Sequence, residues 1–142
     1  VVCETSAYGA HKKAIDEGVP AASIKPSGST NALSIAVEIG GHRAVAAALR
    51  SSGQAVLVTD AEMVEAQITL AREGLWVELS AASSVAALRR LSRDAGERRP
   101  IVCIATSSGF KDVGVGSHPL PVCDGTWDEL ASAAKSQGLP GL

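Results

Sequence analysis

The residues best suited to chemistry gather in one stretch. Residues 98–114 read "RRPIVCIATSSGFKDVG": a β-branched apolar run, Ile101 to Ala105, ends in Thr106, Ser107, Ser108 and Gly109, with Lys111 and Asp112 close behind. The run after Pro100 predicts a buried strand covered on both faces. Hydroxyls and a glycine at its C-terminal end have two readings. They are ordinary turn residues, or they offer a hydroxyl to a ligand, because open α/β sheets bind ligands at the carboxyl ends of their strands.

Elsewhere the chemistry thins out. The sequence contains no G-x-S-x-G, no phosphate-loop G-x-x-x-x-G-K-[ST] and no H-E-x-x-H. His11, His42 and His118 stand far apart with no carboxylate at ligand spacing, and read as surface histidines. Lys12-Lys13 reads as a solvated helix face, and Gly114-Val115-Gly116 as a loop. Cys3, Cys103 and Cys123 are odd in number and widely spaced, which argues against a disulfide framework or a zinc site. Cys3 and Cys103 fall in apolar runs, where a thiol behaves as a small hydrophobe, and a reducing cytoplasm is the expected compartment.

Composition bounds the class. The 142 residues suffice for one domain, and 46% apolar with 20% charged residues is ordinary for a globular protein. A net charge of −2 leaves no basic footprint for nucleic acid or an anionic membrane. Tyr8, Trp76, Phe110 and Trp127 are too few for base-stacking platforms, and no apolar run approaches the length of a membrane span. The chain opens without Met, inside the strand-like "VVCET", which is expected of a piece of something longer.

The elements that must position Thr106 follow from periodicity. Val1–Thr5 is a candidate strand, and residues 10–17 a helix closed by Gly18. Residues 19–30 form a Pro/Ser/Gly loop. Apolar spacing over Asn31–Ile39 predicts a helix, and His42–Arg50 a second one carrying Val45, Ala48 and Leu49. "QAVLVTD" (54–60) is a strand, and Thr59-x-x-Glu62 has the form of a capping box. The helix behind it is expected to turn Val64, Ile68, Ala71 and Leu75 to the core and to end at Gly74. "LWVEL" (75–79) is extended. Ser80 or Ser83 is expected to cap a further helix carrying Val85, Leu88 and Leu91 and closed by Gly96. After a Gly/Pro-rich connector (113–125), Thr126-x-x-Glu129 opens a last helix to about Gln137. Strands alternating with helices predict an α/β fold, a three-layer, mainly parallel sheet with helices on both faces.

Three segments in order, "VTDAEM", "LAREGLWVELSAASSVAAL" and "VCIATSSGFKD", resemble the C-terminal portion of fold-type II pyridoxal-phosphate-dependent enzymes, most closely the threonine synthase group. There a "V-x-D-E-E" helix start precedes "L-A-x-E-G-I-x-x-E-P-[SA]-S-A-A", and a strand ending in "L-T-G-x-G-L-K-D" follows. "NALSIAVEIGGHRA" and "VVCETSAYGAHKKAIDEG" extend a weaker similarity upstream, so the resemblance covers about residues 1–112 as part of the enzyme's large domain. Residues 113–142, a loop and a helix, have no clear counterpart. This chain departs from the pattern at Ser107-Ser108, Phe110, Leu79, Ala81 and Ala32.

The resemblance implies pyridoxal 5'-phosphate as cofactor, with Thr106 hydrogen-bonding its pyridine nitrogen and Ser107 and Glu78 beside it. It implies a lyase-type reaction, elimination or replacement at the β or γ carbon of an amino acid or its phosphorylated derivative. A pyridoxal enzyme also needs a Schiff-base lysine and a Gly-rich phosphate loop. None of Lys12, Lys13, Lys25, Lys111 or Lys135 sits in the family's serine-lysine motif, and no such loop is present. The expected partner is therefore an N-terminal segment or companion chain of the same enzyme, with homo-oligomers, and an apolar face left where that segment packs. A non-catalytic α/β module binding a small ligand or a subunit is the alternative.

Overall fold

A computed structural model describes residues 1–91, 100–112 and 123–138. The expected end of a helix at Gly96, the Gly114-Val115-Gly116 loop, His118 and most of the 113–125 connector lie outside the described residues.

The fold is α/β. Two short apolar runs, β1 (Val2–Thr5) and β4 (Ala55–Val58), pair in parallel with Val2 opposite Ala55 and Thr5 opposite Val58. Side chains alternate across this ribbon. Glu4 and Leu57 meet α1 (Ala10–Asp16) on one face. Val58, with Cys3 and Val56, packs on the other face into the core built around α4 (Leu79–Leu88). Helices thus cover both faces. Between the paired strands the chain passes through a small antiparallel pair, β2 (Ala22–Ser23) and β3 (Ile39–Gly40), and α2 (His42–Arg50).

α4 is the centre of the core. Its sequence, LSAASSVAAL, is apolar or small all round, and Leu79 to Ser83 are buried without a break. Small side chains allow close approach of α3 (Asp60–Arg72), whose Met63 and Ala66 are fully buried against it. The α3 capping box forms as its sequence requires. Thr59 Oγ1 accepts from Glu62 N at 3.3 Å, and the Glu62 carboxylate accepts from Thr59 N at 2.7 Å. At α5 (Trp127–Ser136), Thr126 caps Glu129 N, but the Glu129 carboxylate accepts from Asp124 N.

Four local expectations are corrected. Ile101–Ala105 is not a buried, paired strand. It makes no backbone hydrogen bond among the described residues, and its side chains are exposed, Val102 83% and Ile104 70%, except for the half-buried Cys103.

Residues 31–39 form one 3₁₀ turn, Leu33–Ile35, and then enter β3 rather than making a helix. The Asp60 carboxylate takes the Thr30 hydroxyl and the Asn31 amide, which pins this stretch in an extended path. Gly40 then packs directly on the α1 backbone, where a Cβ would lie 2.6 Å from Ala10 O.

α3 turns Met63, Ala66 and Gln67 inward, leaving Val64, Ile68 and Leu75 exposed. Finally, α4 starts at Leu79 with Glu78 as N-cap, and Ser80 and Ser83 are buried within the helix. The carboxylate of Asp112 takes over the cap, as described next.

Candidate functional site

The segment behind Thr106 is held against residues 76–79 by a short antiparallel exchange. Gly109 N donates to Trp76 O at 3.1 Å, Glu78 N donates to Ser107 O at 3.0 Å, and Val77 bridges Ser108. Gly109 is required by this approach, since a Cβ there would lie 2.5 Å from the Trp76 ring. Ser108 Oγ caps the 3₁₀ turn Gly109–Lys111 that follows.

Asp112 closes the arrangement. Its carboxylate accepts from Leu79 N at 3.0 and 3.1 Å and from Gln67 Nε2 at 2.6 Å. The buried Gln67 amide also donates to Val77 O at 2.8 Å. One carboxylate thus satisfies the first orphan N–H of α4, where negative charge is favoured by the helix dipole, and ties α3 to the 106–112 segment.

Glu78 is buried, not a solvated strand-end carboxylate. Its Oε2 faces Lys111 Nζ at 3.1 Å and accepts from Ser34 Oγ at 3.3 Å, while Ser80 Oγ accepts from Ser34 N at 3.2 Å. These groups line a cavity of about 180 Å³ with Asn31 and Asp112. A second cavity of about 240 Å³ shares Asn31 and Asp112 and reaches Val64 and Gln67. The cavity lining thus combines the Glu78–Lys111 pair, the Asp112 carboxylate and the Ser34 and Ser80 hydroxyls with the side chain of Leu33.

Thr106 is exposed, and its hydroxyl makes no hydrogen bond among the described residues. Ser107 is half-buried and contributes its carbonyl to Glu78 N. The structure therefore brings Ser107 and Glu78 into contact and sets Thr106 next to them, exposed and without a hydroxyl partner among the described residues. Ser34, Gln67 and Asn31 are site residues that sequence reasoning did not single out. Ser34 and Asn31 sat in the stretch misread as a helix, and Gln67 looks like an ordinary exposed helix residue until Asp112 is placed beside it.

Among the described residues no group of three or more His, Cys, Asp or Glu side chains is arranged to hold a metal, and no helix is long and apolar enough to cross a membrane.

Comparison with known proteins gives the class to which this fold belongs. Residues 1–107 match the family model "Pyridoxal-phosphate dependent enzyme", and the chain belongs to that family. Its family cofactor is pyridoxal phosphate. The chain is 43% identical over 109 residues to a threonine synthase of Methanocaldococcus jannaschii, covering 70% of this chain and 26% of that protein. It is 40% identical over 107 residues to a threonine synthase of Methanosarcina acetivorans, covering 70% and 26%. A threonine synthase of Synechocystis is 33% identical over 122 residues, covering 81% and 32%. The chain spans about a quarter to a third of the length of these relatives.

Proposed function

We propose that this chain is the C-terminal part of a threonine-synthase-like enzyme, in which Thr106 donates or accepts the hydrogen bond at the pyridine nitrogen of the cofactor. The observation that carries this reading is the exposed Thr106, without a hydroxyl partner among the described residues and followed directly by a segment held at Ser107, Gly109 and Asp112. The residues present fit one end of the cofactor. A neutral hydroxyl orients the ring without holding its nitrogen fully protonated, whereas a carboxylate there would fix the charge. The Schiff-base lysine and the phosphate cradle belong to the remainder of the enzyme.

Pyridoxal phosphate supplies the electron sink for carbanion chemistry. The tasks of this chain are positional. The Glu78 N–H bond to the Ser107 carbonyl anchors the backbone next to Thr106. The Glu78–Lys111 pair, with Ser34 and Ser80, forms the polar wall of the cleft. The reaction is elimination or replacement at the β or γ carbon of an amino acid or its phosphorylated derivative.

The test is Thr106→Val in the complete enzyme. Turnover falls and the visible absorbance of the bound cofactor shifts, while the melting temperature stays within the range of a surface change. An unaltered spectrum and rate would remove Thr106 from the cofactor. A complete protein that takes up no pyridoxal phosphate would instead mark the non-catalytic module.

A further inference from the structure

Two consecutive backbone amides grip both ends of one short loop. Glu78 N donates to Ser107 O at 3.0 Å, and Leu79 N, the next amide along, donates to the Asp112 carboxylate at 3.0 and 3.1 Å. Between these ends the loop is braced from within. Lys111 N donates to Ser108 O at 3.2 Å, and Asp112 N to Gly109 O at 3.1 Å. A braced loop held at one end can pivot about that end, whereas a second hold fixes its orientation. Thr106 is joined directly to the gripped Ser107. No backbone hydrogen bond among the described residues holds Ile101–Ala105 on its other side, so within this chain the hold on Thr106 comes from downstream.

The two holds differ in kind. At Ser107 it is a neutral backbone exchange, seconded by Gly109 N on Trp76 O at 3.1 Å. At Asp112 it is charge-assisted, roughly twice as strong as a neutral bond, and it lies at a helix start, where a carboxylate is favoured. The buried Gln67 amide fixes the same carboxylate at 2.6 Å and is itself anchored on Val77 O at 2.8 Å. A helix start is ordinarily capped by the residue before it. Here the N-cap Glu78 makes no side-chain cap; its carboxylate turns to Lys111 at 3.1 Å, and the cap falls to a residue 33 positions on. The start of the central helix is thereby coupled to the loop that follows Thr106.

We propose that Asp112 is a positioning residue for the cofactor site: through the 107–112 loop it sets where the Thr106 side chain lies, without itself meeting the cofactor. The inference rests on the reading of Thr106 at the pyridine nitrogen, and adds that this hydroxyl is aimed by a carboxylate six residues beyond it.

The experiment is a double-mutant cycle in the complete enzyme, with Thr106→Val, Asp112→Asn and the two combined. Asp112→Asn keeps an oxygen for Leu79 N but sets an amide against Gln67, so it loosens the hold with less threat to folding than Asp112→Ala. In the cofactor-free enzyme, exchange of the Glu78 and Gly109 amides quickens at least about 10-fold, the change expected when a bond to a charged group is lost. With pyridoxal phosphate, Asp112→Asn weakens binding about 10-fold and shifts the visible band in the direction that Thr106→Val shifts it. Added to Thr106→Val, it moves neither further. Thr59→Ala, which weakens the cap of α3 instead, leaves the band in place and so separates positioning from lost stability.

An unshifted band in Asp112→Asn, where Thr106→Val does shift it, overturns the proposal and leaves Asp112 a helix cap. An equal shift in both backgrounds overturns it too, by setting Asp112 against the cofactor directly, as does unchanged amide exchange. If Thr106→Val itself leaves the band unaltered, the reading of Thr106 falls and this inference with it, so the two failures are told apart.

Discussion

The carboxylate of Asp112 accepts the backbone N–H of Leu79, 33 residues earlier in the chain, at 3.0 and 3.1 Å. Through this bond and the one from Gln67 at 2.6 Å, a residue just past the hydroxyl cluster caps the central helix of the core. Asp112→Ala leaves the Leu79 amide and the Gln67 side chain short of a partner, and each buried group so stranded costs about 1–3 kcal/mol. Urea unfolding should show the loss, and Asp112→Asn should recover only part of it, since an uncharged amide oxygen is a weaker acceptor at a helix start. An Asp112→Ala protein as stable as the parent would mean the bonds contribute nothing net.

Gly109 sets the approach of the 106–112 segment to Trp76. Gly109→Ala puts a Cβ 2.5 Å from the indole ring, so the segment or the ring must shift. Overpacking of this kind costs about 1–3 kcal/mol. A lower melting temperature together with a changed tryptophan emission is expected. If both stay as in the parent, the segment is not held in this register.

The α3 capping box gives a stability effect and a pH signature. Thr59→Ala should cost about 1 kcal/mol of unfolding free energy. The Arg90 guanidinium, followed by the Thr59 N–H, lowers the Glu62 pKa from 4.5 to about 2. A carboxylate depressed in the folded state stabilises above its unfolded value, and that contribution is lost as pH falls. Part of the stability should therefore disappear between about pH 4.5 and pH 2. Glu62 is half-buried and its partner Arg90 is exposed, so salt should weaken the effect. Acid titration of unfolding free energy for Glu62→Gln should be flatter in this window. Parallel curves for parent and variant would remove Glu62 as the cause.

Lys111 and Glu78 give a prediction at the cleft wall. Lys111→Met leaves the buried Glu78 carboxylate with Ser34 as its remaining side-chain partner. In the complete enzyme, substrate affinity should fall more than in Lys111→Arg, which restores the charge. Equal behaviour of the two variants would assign Lys111 to solubility alone.

Several elements were legible because their signals are complete within one stretch of chain. Thr59 and Glu62 carry both halves of their capping box, and Gly74, at φ +84, supplies the left-handed turn that ends α3. A helix through Val85 and Leu88 was also legible, but its start at Leu79 and the burial of Ser80 and Ser83 within it were not. Thr106 stood out as the end of an apolar run, and its role at the cofactor is the proposal that Thr106→Val tests.

What the sequence left open depends on partners far along the chain. Val64 and Ile68 follow helical spacing as well as Met63 and Ala66 do, and only the small face of α4 decides that the latter pair turns inward. Asn31–Ile39 has helical periodicity, but Asp60 captures its start and Gly40 must lie flat on α1. Nothing local in the sequence places Ser34 and Lys111 over the buried Glu78 carboxylate. Local propensity is set by neighbours within a turn or two, whereas burial, pairing and the choice of face are set by what packs against them. For Ile101–Ala105 composition specifies a strand, and the described residues supply no strand to pair with it.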